Sequence, residues 1–69
     1  MEWRGGIYYG RTKNNIPNGY GRWVNYDGEI IVEAEWKNGV KNGIVIESIG
    51  EYCQKYSMKE GKYEGIYIL

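Results

Sequence analysis

The chain has 69 residues, with nine basic and nine acidic side chains and no histidine, so its formal net charge is zero. Neutrality argues against nucleic acid and against anionic lipid as partners, because both are recognised through uncompensated positive charge. A single cysteine, Cys53, excludes an internal disulfide, and without histidine there is no Cys/His ligand set for zinc, so neither metal nor cofactor is expected.

One domain is expected, with room for one thin core. A scaffold this small gains from disulfides, a metal or a partner surface, and the first two are absent from the residue inventory. The longest apolar runs are three residues, Ile30-Ile31-Val32 and Ile44-Val45-Ile46, so neither a signal peptide nor a membrane span is expected. A lone cysteine without a secretory signal fits a reducing compartment, and the expected location is cytoplasmic.

Eleven glycines, eight tyrosines, three tryptophans and nine isoleucines stand against one leucine, one alanine and one proline, a composition that favours strands over helices. In chain order, the first unit, residues 6–27, reads as a hairpin ending in Asp27-Gly28, a type I′ turn signal. A two-residue turn there sets Trp23 opposite Val32. Trp23 then faces Tyr9, whereas the repeat makes Tyr8 the counterpart of Val32, so a bulge or a longer turn must absorb one residue.

The second unit, residues 28–49, is clearest. Ile30, Val32, Ala34 and Trp36 alternate with Glu29, Ile31, Glu33, Glu35 and Lys37, the period of a half-buried strand. A loop over 38–42, rich in glycine and asparagine, returns the chain into Ile44–Ser48. That loop places Trp36 opposite Ile44 and Ala34 opposite Ile46. After a short turn at Ile49-Gly50, the third unit, residues 50–69, repeats the construction, with Met58 opposite Ile66 and Tyr56 opposite Ile68. The expected fold is an all-β antiparallel meander of about six strands in three stacked hairpins.

Self-comparison supports the three units. With a shift of about 22 residues, GEIIVEAEWKNGVKNGIVIE lies over GEYCQKYSMKEGKYEGIYIL. Trp36 then falls on Met58, Gly39 on Gly61 and Gly43 on Gly65. A shift of about 24 residues recovers a more degenerate first copy, in which Lys13, Asn14, Asn18 and Gly19 match Lys37, Asn38, Asn42 and Gly43.

The pattern G-x-x-x-x-x-A-x-W-K-N-G-x-x-x-G, from Gly28 through Ala34, Trp36 and Gly39 to Gly43, resembles a MORN repeat (membrane occupation and recognition nexus). The step from Gly28 to Ala34 is similar to the variant repeat of bacterial antitoxin-component-like proteins. Val32 and Ala34 stand where the family has the tyrosine and glycine of a Y-x-G element, and the last unit has Gln54 and Tyr56 there. The resemblance implies an elongated, twisted ribbon of hairpins with aromatic side chains along one face. It also implies an interaction or scaffolding role, with lipid binding proposed for some members.

No enzyme is expected. Cys53 has no histidine to activate it, and Glu33 and Glu35, on one strand face beside Lys37 and Lys55, read as a solvated surface. Gly39-Val40-Lys41-Asn42-Gly43 lacks phosphate-loop spacing. Trp3-Arg4 and Arg22-Trp23 have the form of stacking platforms for single-stranded nucleic acid, which zero net charge argues against. Tyrosine and tryptophan suit half-exposed strands and also dominate binding hot spots.

The leading expectation is therefore a non-catalytic protein-interaction module, a small subunit or adaptor, docking through Trp36, Ala34, Ile46, Tyr56 and Met58, with Trp23 and Tyr9 beside them. One alternative is a small inhibitor or antitoxin-like protein, phage- or mobile-element-encoded, that occludes a target enzyme. Another is contact with acidic groups of a lipid surface through Lys37, Lys41, Lys59 and Lys62. Homo-oligomerisation, by edge pairing of 3–10 or 63–69 or by joining apolar faces, is a further expectation.

Overall fold

Stretches of β-branched and aromatic residues end at turns carrying glycine or asparagine, and those stretches are the strands. The computed structural model describes the backbone of residues 1–68 and the side chains of residues 1–65. Its strands are β1 (Glu2–Trp3), β2 (Gly6–Lys13), β3 (Ile16–Asn25), β4 (Ile30–Lys37), β5 (Val40–Ile49), β6 (Tyr52–Lys59) and β7 (Lys62–Ile68). They form one antiparallel sheet in chain order. This is the expected hairpin meander with one strand more than the six read from sequence. The addition is β1, two residues long and too short to show a period.

Asn14-Asn15, Asn38-Gly39 and Glu60-Gly61 close the three long hairpins. Both residues of each pair have positive φ, as in Asn38 at 51° and Gly39 at 85°. That is the requirement of the type I′ turn, whose twist matches the strands it joins. Arg4-Gly5 turns β1 into β2 in the same way, at 46° and 84°.

The second hairpin therefore turns in two residues and not over 38–42, which corrects the cross-strand pairing. Trp36 lies opposite Lys41 and Ala34 opposite Val45, and the register shifts between Ala34 and Glu35, where Gly43 and Ile44 bulge out. Ile46 pairs with Glu33, on the face opposite Ala34. In the third hairpin Tyr56 lies opposite Ile66, Gln54 opposite Ile68 and Met58 opposite Tyr63, with a shift between Ser57 and Met58.

The misfit expected in the first hairpin is resolved by a shift between Gly10 and Thr12, which leaves Trp23 opposite Tyr8 and not Tyr9. Trp23 also faces Val32, as the Asp27-Gly28 reading requires. That connection is wider than a two-residue turn: Gly28 N donates to Asn25 O at 2.9 Å, and Asn25 Oδ1 accepts from Ile30 N at 3.0 Å. The β5–β6 turn is Gly50-Glu51, one residue later than expected.

Twist curls the sheet so that one face closes over a core of Tyr8, Val32, Ala34, Trp36, Val45, Tyr56 and Met58. The Tyr8 ring packs against Gly21, where a Cβ would come within 2.1 Å of the Tyr8 hydroxyl. Trp36 meets Tyr8 edge to face at 5.6 Å and 82°, and its Nε1 donates to Gly21 O at 3.2 Å. The Tyr8 hydroxyl donates to Arg11 O at 2.6 Å. Burying one such ring contributes about 2–3 kcal/mol.

β1 folds across the same face. Met1 and Tyr8 exchange bonds of 2.7 and 3.0 Å, and Trp23 Nε1 donates to Trp3 O at 2.6 Å. The Trp3 ring reaches the β4–β5 turn, where a Cβ on Gly39 would lie 2.8 Å from Trp3 Cζ2. The curl corrects the elongated ribbon implied by the resemblance. The extents are 34 × 27 × 15 Å and the radius of gyration is 11.4 Å, close to the ~11 Å of a globular chain this long.

Candidate functional site

Folding β1 over the curled face leaves a groove of about 380 Å³ between Trp3 and the strands beneath it. Its floor is apolar, formed by Trp23, Ile30, Val32, Trp36 and Met58, and Arg4, Val40, Lys41 and Glu47 stand around it. All three tryptophans of the chain line this one depression. Each arrives from a different strand: Trp3 on β1, Trp23 on β3 and Trp36 on β4.

Charge at the rim is anchored on aromatic rings. The Arg4 guanidinium stands 5.1 Å from the centre of the Trp3 ring. Lys41 Nζ donates to the Tyr56 hydroxyl at 3.0 Å and lies 5.4 Å from the ring centre. Burial, and then the nearby Glu47 and Tyr63, hold the Tyr56 hydroxyl well above its ordinary range, so it stays a neutral phenol. Trp3 Nε1 is the only buried side-chain donor or acceptor without a hydrogen-bond partner among the described residues. Leaving such a group unpaired costs about 1–3 kcal/mol.

A second, shallower depression of about 360 Å³ is bordered by Glu47, Ile49, Tyr52, Cys53 and Gln54. Gln54 Nε2 donates to Glu47 Oε1 across it at 2.9 Å. Cys53 is exposed there as a free thiol.

The residues expected to dock a partner separate into three groups. Ala34 and Tyr56 are 1% exposed and belong to the core, which takes them off the surface. Trp36 and Met58 are also core residues, 8% and 7% exposed, but border the groove together with the half-buried Trp23. Ile46 and Tyr9 lie on the outer face, in the cross-strand row Tyr9, Arg22, Glu33, Ile46, Lys55. The two-residue turn at Asn38-Gly39 is what sends Ile46 outward, and the two extra residues Gly43 and Ile44 leave that face unchanged.

Lys37, Lys59 and Lys62 flank the Asn38-Gly39 and Glu60-Gly61 turns and are exposed, whereas Lys41 turns inward to Tyr56. Of the two expected edges, β2 is covered by β1 over Gly6–Tyr8, and Leu69 lies outside the described residues. Glu33 sits on the outer face as expected, where its Oε2 accepts from the Tyr20 hydroxyl at 3.1 Å.

Sequence reading missed Trp3, Arg4, Ile30, Val32, Val40 and Glu47 as groove residues. Trp3 precedes the first repeat and carried no periodic signal. The alternation of Ile30 with Val32 and Trp36 did mark Ile30 for this face.

Among the described residues no group of three histidine, cysteine, aspartate or glutamate side chains is placed to hold a metal ion. No helix long and apolar enough to cross a membrane is present among the described residues. No protein-family model, no curated protein and no solved structure matches the chain.

Proposed function

We propose that the chain is a non-catalytic protein-binding module of the MORN-repeat kind, which takes an apolar segment of a partner protein into the groove beneath Trp3. The convergence of all three tryptophans on that groove carries this reading. Tryptophan, tyrosine and arginine are the types that dominate binding energy when they surround a desolvated pocket.

The test uses partner capture from the native cell with two matched variants. Val40, 37% exposed at the rim, is changed in Val40→Glu; Ile46, 38% exposed on the outer face, is changed in Ile46→Glu. The expected result is that Val40→Glu loses the partner while Ile46→Glu retains it. Retention by Val40→Glu and loss by Ile46→Glu moves the contact to the outer face and sinks the groove reading.

A further inference from the structure

The long hairpins are fastened to one another by a bonding pattern that occurs twice. Asn38 N donates to Asn18 Oδ1 at 3.1 Å, and Gly39 N donates to Pro17 O at 2.8 Å. One hairpin further on, Glu60 N donates to Asn42 Oδ1 at 2.9 Å, and Gly61 N donates to Lys41 O at 3.3 Å. In both places the two N–H groups of a type I′ turn bond the returning strand of the hairpin before it. One bond goes to a backbone carbonyl and one to the side chain that follows.

The register identifies the equivalent atoms at the two ends of the sheet. Pro17, Lys41 and Tyr63 occupy the same place, opposite Thr12, Trp36 and Met58. Each is followed by a side chain that accepts hydrogen bonds: Asn18, Asn42 and Glu64. The last hairpin thus presents Tyr63 O and the Glu64 carboxylate, as an acceptor pair. The first turn presents the N–H groups of Asn14 and Asn15, whose φ values of 53° and 62° match the donors of the other two turns. Among the described residues neither pair has a partner.

We propose that these two ends fit each other in trans. The β7 edge of one copy takes the Asn14-Asn15 turn of a second copy, head to tail, and remakes the bond pair that joins hairpins within the chain. β1 leaves space for this, because it covers β2 only from Gly6 to Tyr8. Carrying over the pairing of β3 with β4, in which Gly19 faces Trp36 and Gly21 faces Ala34, sets Gly65 opposite Thr12 and Tyr67 opposite Gly10. The contact is short, so it is weak. It is also heterologous, leaving one head and one tail free after every addition, so it builds open chains and not closed pairs.

The test is sedimentation velocity on the 69-residue chain from about 10 µM to about 1 mM, the range of weak contacts. Two variants accompany it. Asn14→Glu sets a carboxylate against Glu64, and the turn geometry accepts it because Glu60 holds φ 52° at the equivalent position. Glu64→Lys removes the acceptor.

The wild type is expected to gain mass with concentration, and each variant alone to associate at least ~10-fold more weakly, as the loss of one charged hydrogen bond predicts. An equimolar mixture of the two variants is expected to regain association, since each retains the end the other lacks. Amide resonances of Asn14 and Asn15 are expected to move with concentration while those of Asn38 and Gly39 stay still. A wild type that remains at 8.0 kDa throughout, variants that associate like the wild type, or a mixture no heavier than its parts each overturns the proposal. The wild-type series and the amide shifts decide the matter even if one variant fails to fold.

Discussion

Tyr8 and Tyr56 are both almost fully buried, 2% and 1% exposed, in hairpins of the same design, yet they are held by different means. Tyr8 is locked by backbone: its ring rests on Gly21, its hydroxyl bonds Arg11 O, and the Trp36 edge closes over it. Tyr56 is held by side chains. Lys41 donates to its hydroxyl, and its ring leans on Tyr63 at 5.2 Å and 51°. Backbone contacts admit one shape, whereas side-chain contacts admit substitution. The first half of the sheet is accordingly expected to be the intolerant half, and the last the adjustable one.

The largest expected effect breaks the first half outright. Trp36→Ala removes the edge-to-face partner of Tyr8 and the bond to Gly21 O, and chemical denaturation is expected to show a loss of about 3–5 kcal/mol. Next, Gly21→Ala drives a methyl into the Tyr8 hydroxyl and is expected to cost about 3 kcal/mol. Combining it with Tyr8→Ala relieves the clash, so the double variant is expected to lose less than the sum of the singles. Strict additivity would show that the ring and the glycine are not coupled.

The adjustable half is addressed through pH. The Tyr56 hydroxyl in the fold lies above its ordinary value of 10.0, so folding favours the neutral phenol. That contribution is fully present below pH 10 and is lost as the pH rises beyond it. Thermal unfolding between about pH 9 and about pH 11 is expected to show a drop in Tm that Tyr56→Phe makes shallower. A parallel drop in both proteins removes Tyr56 as the source.

A smaller effect sharpens the contrast. Tyr8→Phe keeps the ring on Gly21 and removes only the bond to Arg11 O, and is expected to cost about 1 kcal/mol. The smallest belongs to neither half of the core: Ile46→Lys on the outer face is expected to stay within about 0.5 kcal/mol of the wild type in the same denaturation series.

Much of this architecture was legible from residue types, and the failures share one cause. The alternation of Ile30, Val32, Ala34 and Trp36 located a strand and its inner face, and Asp27-Gly28 set Trp23 against Val32 correctly. Asn42 and Gly43 also look like turn residues, and reading them as such lengthened a two-residue turn to five. Strand faces alternate at every residue, so that misreading carried Ile46 to the wrong side and hid the bulge beside it.

Curling of the sheet depends on summed twist and on contacts between residues far apart in the chain, which no local pattern encodes. That is why the apolar strand period, which puts Ala34 on the face of Trp36, does not reveal that Ala34 and Tyr56 are closed off from a partner. It is also why Trp3 was passed over: its place is set by Trp23 and Gly39, about 20 and 36 residues away.

The gathering of every tryptophan into one depression has a practical side. Indole emission from this protein has a single source region, with no background from elsewhere in the chain. A segment settling against the floor and the first strand lifting away change the water around the same three rings in opposite directions. The protein carries its own optical gauge of that one space, read without a label.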